Sequence, residues 1–263
     1  MIYKHCYPFR LAAPSFVYPA DYLTNVKRLG PFLDEIELLL FESDPQSLPS
    51  VNQVAELATL ADTLDISYNI HLPLDLDIAD GDISHCQQTV AKLAGIIELV
   101  RPLQGTTHTL HLPAPKTANN AAGRTAWQMR LRKSLETLLD ITSLAPAAIS
   151  IETLDYPPQW FAPVVEQLNL SVCVDVGHVI YHGFDLAAVL QEFKPRITIL
   201  HLHGVAGGKD HRSLNRLDPA AQQIVVDFLG TFRESLSLEV FSPRRLMGSL
   251  ACLADLMKLR STP

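Results

Sequence analysis

The stretch Ser171-Val172-Cys173-Val174-Asp175-Val176-Gly177-His178 decides the fold, because a short apolar strand in it ends in a carboxylate. Valine occupies every second position, which is typical of a β-strand whose valine face is buried against another layer. That alternation directs Cys173 and Asp175 to the opposite face, which in a closed barrel is the lumen. His178 follows one helical turn after Asp175. The stretch predicts a strand that delivers a metal-binding group at its carboxyl end.

Five other predicted strands end in a group of the same kind. Each is a short apolar run, and its last residue is a histidine or a glutamate: His71, His111, Glu152, His201 and Glu239. In a barrel of parallel strands all carboxyl ends open at one mouth, so these groups and Asp175 converge there. Imidazoles and carboxylates gathered at one point favour a divalent cation, for which zinc or manganese fits best and iron is a further option.

The rest of the chain repeats the same unit of strand and helix. Eight such units run from a strand near residues 10–17 to a helix at 243–259, with no linker long enough to separate domains. This pattern predicts an α/β fold in which residues 1–263 form a single (β/α)8 TIM barrel. No glycine-rich phosphate fingerprint follows the first strand, which disfavours a dinucleotide-binding sheet. Two polar loops, 116–123 and 204–217, are predicted to cover the mouth.

Composition excludes several classes of protein. Hydrophobic residues make up 48% of the 263 positions, which predicts a large core. The net charge of −7 argues against nucleic acid as a partner, although a small anionic substrate bound through metal ions remains compatible. The four cysteines are scattered, which favours a reducing cytoplasm over a disulfide framework. Neither a signal peptide nor a membrane span is expected, and no obligate protein partner is evident.

Most of these residues also have a simpler interpretation. Asp175 alone is as consistent with a helix cap as with a metal ligand, and a lone strand histidine is more often a hydrogen-bonded core residue. His201 and His203 share one face at a strand tip, which shifts the interpretation towards ligands. His71 and His111 each lie in an identical His-Leu-Pro triplet, in which proline stops the strand and places the imidazole at the rim.

The loop after the seventh strand contains the remaining candidates. Asp210 and His211 are predicted to complete a metal site, and Lys209 or Arg212 to meet a phosphate. The alternative is an ordinary solvated loop. His182 is predicted to line the rim, whereas the other histidines without this positional pattern are predicted to be structural: His5, His85 and His108.

The order of the candidate ligands resembles that of the xylose-isomerase-like barrels, and within them the endonuclease IV group. The order runs His71, His111, Glu152, Asp175, His178, His201, Asp210-His211 and Glu239. The resemblance implies that Glu152 belongs to two metal sites, one with the histidines of the third and fourth strands and one with the ligands of the last three strands. It implies a third site after the sixth and seventh strands. Asp210 and His211 adjoin here without the spacer residue of that family, so the third set departs from the pattern.

A narrower resemblance is to the cobamide-remodelling phosphodiesterases of the CbiR group. It is carried by Ala13-Pro14-Ser15-Phe16-Val17, by residues 19–22 and 37–42, and by the segments 200–205 and 208–211. The resemblance implies a corrinoid as the small-molecule substrate. The implied reaction is hydrolysis of the nucleotide-loop phosphodiester of adenosylcobamides to adenosylcobinamide phosphate and α-ribazole.

The hypothesis that follows is metal-assisted phosphodiester hydrolysis. Glu152 is the expected bridging ligand or general base, Glu239 the second candidate base, and Lys209 the neutralising charge. Substrate contacts are assigned to His203, Arg212 and His182.

Three alternatives remain. The first is a metal-dependent sugar isomerase or epimerase, which the set Glu152, Asp175, His201 and Glu239 resembles, although His71, His111 and His178 are then surplus. The second is a DNA-repair nuclease, which the acidic charge disfavours. The third is a corrinoid-binding protein without catalysis.

Overall fold

Eight short strands close into a parallel barrel in the computed structural model, which describes residues 3–260. Each strand pairs with the next one along the chain, and β8 pairs with β1. The strands are β1 Arg10–Pro14, β2 Glu35–Leu39, β3 Ser67–His71, β4 His108–Leu110, β5 Ile149–Glu152, β6 Ser171–Asp175, β7 Ile197–His201 and β8 Ser235–Ser237. The predicted TIM barrel is confirmed.

Helices surround the strands in the expected order. They are α1 Tyr22–Leu29, α2 Val51–Leu64, α3 Ile83–Val100, α4 Ala121–Thr142, α5 Ala162–Leu168, α6 Val176–Tyr181, α7 Leu186–Phe193, α8 Pro219–Leu229 and α9 Pro243–Arg260. The side chains of Asp21 and Asp185, a residue type favoured at helix starts, accept hydrogen bonds from the first turns of α1 and α7. None of the described helices is long and apolar enough to cross a membrane.

The core lies between the outer face of the barrel and the inner faces of the helices. Strand residues such as Leu38, Ile70 and Val174 are fully buried there, against helix residues such as Leu57 and Trp127. Burying one such side chain stabilises the fold by roughly 1.5–3 kcal/mol. Packing of their outer face against the helices therefore holds the strands in place, and the inward-facing side chains are not needed for that packing.

A polar network fills the lumen at the amino-terminal end of the strands. The buried carboxylate of Glu35 accepts hydrogen bonds from Ser67 Oγ at 2.9 Å, Asn69 Nδ2 at 2.9 Å and Thr106 Oγ1 at 2.7 Å. Arg10 Nε lies 3.4 Å from the same carboxylate. Each donor satisfies an oxygen that is costly to bury without a partner, so this end is closed by a bonded polar network.

The first of the two predicted cover loops differs from the sequence expectation. Residues 116–123 are not an open loop, because Lys116–Asn119 form a 3-10 helix and α4 begins at Ala121. Asn120 caps α4 by accepting from the Gly123 amide. The loop 204–217 is tied at its base, where the backbones of Gly204 and Arg212 exchange hydrogen bonds of 2.7 and 2.9 Å.

Candidate metal centre

The strand ends place six candidate ligands at one mouth of the barrel. His71, Glu152, Asp175 and His201 are the last residues of β3, β5, β6 and β7. His111 lies one residue past β4, and Glu239 lies two residues past β8, because both strands are shorter than the sequence predicts. Asp175 and His201 are direct neighbours in the β6–β7 register, so parallel pairing itself brings carboxylate and imidazole together.

Glu152 lies within hydrogen-bond distance of three imidazoles. Its Oε2 lies 2.8 Å from His111 Nε2 and 3.0 Å from His71 Nε2. Its Oε1 lies 3.2 Å from His201 Nδ1. The two oxygens of this buried carboxylate therefore serve different partners, which is the arrangement of a carboxylate that bridges two positions.

The electrostatics of Glu152 follow from these contacts. Burial opposes ionisation of the carboxyl, but the imidazoles of His111 and His201 outweigh burial and hold its pKa well below its usual range. Glu152 is thus a carboxylate at neutral pH, as a metal ligand must be.

Glu239 has the opposite electrostatics. Burial raises the pKa of its carboxyl well above the usual value, and the neighbouring Glu37 carboxylate adds to that rise against the lowering by His201. Its Oε2 lies 3.5 Å from His201 Nδ1 and 3.6 Å from His211 Nδ1. A cation at this point resolves the repulsion between the carboxylates.

Glu37 is a site residue that the sequence did not identify. It lies in the middle of β2, fully buried, and accepts a hydrogen bond from Ser237. Its Oε1 lies 3.9 Å from His201 Nε2. The sequence leaves the parity of β2 ambiguous between Glu37 and Glu42, and the structure resolves it: Glu37 faces the lumen and Glu42 is exposed. The available signal is Glu35, which shares the parity of Glu37 and is equally costly to bury outside the lumen.

Unpaired buried atoms mark the centre of this cluster. Within the described part of the chain, Glu37 Oε1, His201 Nε2 and Glu239 Oε2 are buried and make no hydrogen bond. Two overlapping sets of residues each place their ligand atoms within 4.8 Å of one another. One set is Glu37, His71, His201 and Glu239, and the other is Glu152, Asp175, His201 and Glu239. Imidazole nitrogens and carboxylate oxygens that converge without partners fit a divalent cation.

Cys173 lies in the same lumen and touches this set. Burial raises the pKa of its thiol strongly. This favours a neutral thiol, and a thiolate ligand is correspondingly disfavoured.

A second group of imidazoles stands beside the first. His178, His203 and His211 place ligand atoms within 4.8 Å of one another. His178 lies in the first turn of α6. Asp175 caps this helix, since its Oδ1 accepts a hydrogen bond from the His178 amide at 2.7 Å. Asp175 is therefore both a helix cap and a member of the cluster, so the two interpretations of this residue are compatible. Although burial opposes it, the imidazoles of His178 and His203 hold the pKa of Asp175 well below its usual range.

Both ring nitrogens of His203 have partners inside the protein. Nδ1 accepts from the His211 amide at 2.9 Å, so Nε2 carries the proton and lies 3.2 Å from Asp175 Oδ2. The ring stands so close to Gly177 that a Cβ there would lie 1.9 Å from Cε1 of His203. His203, assigned to substrate contact from the sequence, is fully buried and links Asp175 to the loop 204–217.

The other predicted site residues lie further out. Asp210 Oδ2 is 3.9 Å from His178 Nε2, and the Asp210 side chain is 39% exposed. His182 is exposed with its ring 6.4 Å from that of His178, Lys209 is exposed, and Arg212 is half-buried. The roles given to these four residues stay predictions. His108 is buried and donates towards the Ala148 carbonyl at 3.3 Å, as a structural histidine does.

Comparisons with known proteins agree with this architecture. A family profile described as Xylose isomerase-like TIM barrel matches residues 23–244. A D-tagatose 3-epimerase-like protein superposes with a TM-score of 0.78 at 16% identity, over 95% of this chain and 97% of that chain. Endonuclease IV from Thermus thermophilus has a TM-score of 0.73 at 16% identity, over 95% and 99% of the two chains.

A third similar structure is that of the IolI protein with a binding zinc atom. It has a TM-score of 0.73 at 15% identity, over 94% of this chain and 98% of that chain. At these identities the structural likeness shows the fold alone. No curated protein matches the chain significantly.

Proposed function

The chain belongs to the xylose isomerase-like TIM barrel family, and from that premise we propose that it is a metal-dependent phosphodiesterase acting on the nucleotide loop of adenosylcobamides. The observation that carries the proposal is Glu152, whose two oxygens are shared between His71 and His111 on one side and His201 on the other. A bridging carboxylate between two sets of imidazoles is what a pair of cations needs, and paired cations are typical of phosphodiester hydrolysis.

The residues divide into two sets of ligands. His71, His111 and Glu152 would bind one cation, and Glu152, Asp175, His201 and Glu239 the other. When bound, such cations neutralise phosphate oxygens and make water a stronger acid. Zinc or manganese suits this mixture of imidazole and carboxylate best, and iron also suits it.

The remaining chemistry is assigned to side chains of this protein. Glu239 is the second candidate general base, after Glu152, in the case that its carboxylate does not bind a cation, because its buried Oε2 makes no hydrogen bond within residues 3–260. Lys209 is exposed on the loop beside the mouth, where its ammonium can neutralise the charge that develops on the leaving oxygen of α-ribazole. Arg212 and His182 are assigned to the rim that receives the substrate.

The choice of a corrinoid substrate rests on the narrower resemblance. Two segments that carry it, 13–17 and 37–42, lie at or just past the carboxyl ends of β1 and β2, at the mouth that contains the candidate ligands. Glu37 within the second segment points at His201. The segments that resemble the CbiR group thus lie where a substrate-determining sequence is expected in a barrel enzyme.

A sugar epimerase is the second candidate. The ligand atoms of Glu152, Asp175, His201 and Glu239 lie within 4.8 Å of one another, which is sufficient for a single cation. A D-tagatose 3-epimerase-like protein shares the fold. His71 and His111, both on the same oxygen of Glu152, have no task in a one-cation site, and this favours the phosphodiesterase.

The test is incubation of metal-replete protein with adenosylcobalamin, followed by chromatography and mass analysis. Appearance of α-ribazole with adenosylcobinamide phosphate supports the proposal. Glu152→Gln is the matched variant, which should keep the fold and lose turnover. An intact cobamide with zinc, manganese and iron in turn, together with exchange between ketose epimers, would establish the epimerase instead.

A further inference from the structure

The part of the mouth centred on β1 is aromatic. Phe16, Phe41 and Phe241 follow β1, β2 and β8, which are consecutive in the barrel, and all three rings are only partly buried. Most of the candidate ligands come from β3 to β7, and Glu239 follows β8 beside the aromatic residues. The aromatic residues therefore border the candidate ligands on one side of the mouth.

These rings form one continuous surface that reaches the candidate ligands. The ring centroids of Phe16 and Phe41 are 4.6 Å apart at 70°, and those of Phe41 and Phe241 are 6.0 Å apart at 50°. The Phe241 ring lies 5.0 Å from that of His211. Tyr22 extends the surface outward, 5.5 Å from Phe16 at 81°.

A cavity of about 720 Å³ adjoins this surface. Its described lining is Phe16, Tyr22, Phe41, Glu42, Ser47, Leu74 and Asp75, and none of these side chains is cationic. Hydrogen bonds hold the wall of the cavity in place. The Tyr22 hydroxyl donates to the Ser47 carbonyl at 2.8 Å, and Asp75 accepts from the Ser43 amide and hydroxyl at 2.9 and 2.7 Å.

The lining determines which ligand chemistry fits. The two carboxylates disfavour a phosphate or a carboxylate group in the cavity, because like charges repel. Phenylalanine rings in edge and tilted contact offer ring faces on which a flat aromatic group stacks. The volume is in the range of pockets that bury a molecule of drug size. The polar groups of the lining are those of Tyr22, Glu42, Ser47 and Asp75, and several of them are already bonded within the wall, which leaves fewer for the hydroxyls of a sugar.

We propose that this cavity binds a planar, uncharged aromatic heterocycle of the substrate while the phosphodiester lies at the candidate ligands. The position of the phosphodiester in this inference rests on the proposed function. Two sources share this chemistry: the benzimidazole base of a cobamide, and an ordinary nucleobase.

The test is direct binding, without turnover. Metal-replete protein is titrated calorimetrically with α-ribazole and with adenosine, and ribose 5-phosphate serves as the probe without a base. Wild-type protein should bind at least one nucleoside. Binding of α-ribazole alone identifies the cobamide base, and binding of adenosine alone identifies a nucleobase. Phe41→Ala should weaken binding about tenfold or more, since a stacked ring is lost.

The matched control is Phe32→Ala. Phe32 is also an exposed phenylalanine, but it precedes β2 and so lies at the opposite end of the barrel. Its replacement should leave nucleoside affinity unchanged. Phe16→Ala provides a second pocket variant if Phe41→Ala fails to fold, as judged by circular dichroism.

Equal nucleoside affinity in wild type and both pocket variants would overturn the inference, as would binding of neither nucleoside. The two proposals fail separately. Cleavage of adenosylcobalamin without any nucleoside binding removes the aromatic site and leaves the phosphodiesterase. Nucleoside binding without cleavage keeps the aromatic site and removes the phosphodiesterase.

Discussion

The ring of His203 lies against the Cα of Gly177, so closely that a Cβ at position 177 would be 1.9 Å from Cε1 of His203. Gly177→Ala should push the ring away and break its contact with Asp175, at a cost of about 1–3 kcal/mol, which is typical of overpacking. Urea unfolding measures the loss, and metal content measured by mass spectrometry should fall with it.

The control for this change is Gly95→Ala. Gly95 is exposed in α3, and an added Cβ meets nothing within 4 Å. Alanine there should stabilise the protein by about 0.5–1 kcal/mol, because glycine is unfavourable in a helix. Equal stability of the Gly177 variant and wild type would show that His203 moves without cost.

Glu37→Gln should weaken metal binding without unfolding the barrel. Glu37 Oε1 lies 3.9 Å from His201 Nε2 without a hydrogen bond, and both belong to one of the candidate ligand sets, so the change removes a negative charge from the cluster. Loss of a partner beside the ligands typically costs about 10–100-fold in metal affinity. Competition with a chromophoric chelator measures it.

Glu35→Gln is the matched control, since Glu35 is buried on the same face of the same strand but at the closed end. It should lower stability through the network with Arg10 and leave metal affinity unchanged. If both variants weaken metal binding equally, the specific role given to Glu37 beside His201 is wrong.

Removal of metal should lower the midpoint of thermal unfolding. Glu37, Glu152, Asp175 and Glu239 are buried within one cluster, and without a cation their mutual repulsion is relieved only by the imidazoles. A cation that binds only the folded site at a hundred times its dissociation constant stabilises by about 2.7 kcal/mol. Calorimetry with and without a chelator measures the shift. An unchanged midpoint on complete metal removal would contradict a metal centre.

His108 should make the protein less stable in mild acid. Burial lowers the pKa of its imidazole from the ordinary value near 6.5. The unfolded chain therefore binds more protons than the folded one below pH 6.5, and stability falls as the pH drops through that value. The slope for one group is at most about 1.4 kcal/mol per pH unit. His108→Gln should flatten the difference in unfolding free energy between about pH 7.5 and about pH 5.5, and an identical pH dependence in both proteins would refute it.

The barrel, and the position of most of the candidate ligands at its mouth, could be predicted because their signals are local. A strand of alternating parity that ends in a histidine or carboxylate places its last residue at the mouth, and His71, Glu152, Asp175 and His201 confirm that placement. Helix starts at Tyr22 and Leu186 followed from their aspartate caps. These features depend on residues close together in the chain.

Other features depend on contacts between distant segments. Glu37 is positioned in the cluster by a hydrogen bond from Ser237, which lies 200 residues away in the chain. His203 Nε2 contacts Asp175 because the His211 amide donates to the other ring nitrogen, Nδ1. The local sequence does not indicate which of the two nitrogens is available. The polarity of residues 116–123 alone indicated a loop, whereas Lys116–Asn119 form a 3-10 helix and Asn120 caps α4 directly after it.

The polar network around Glu35 closes the barrel at its amino-terminal end. Because Glu35 and its donors fill the lumen there, the candidate ligands are reached from the mouth at the carboxyl ends of the strands. Under the proposed function, the cations and the substrate would use the same approach, and a bound substrate would cover the cations beneath it. Metal exchange would then depend on release of the substrate or product.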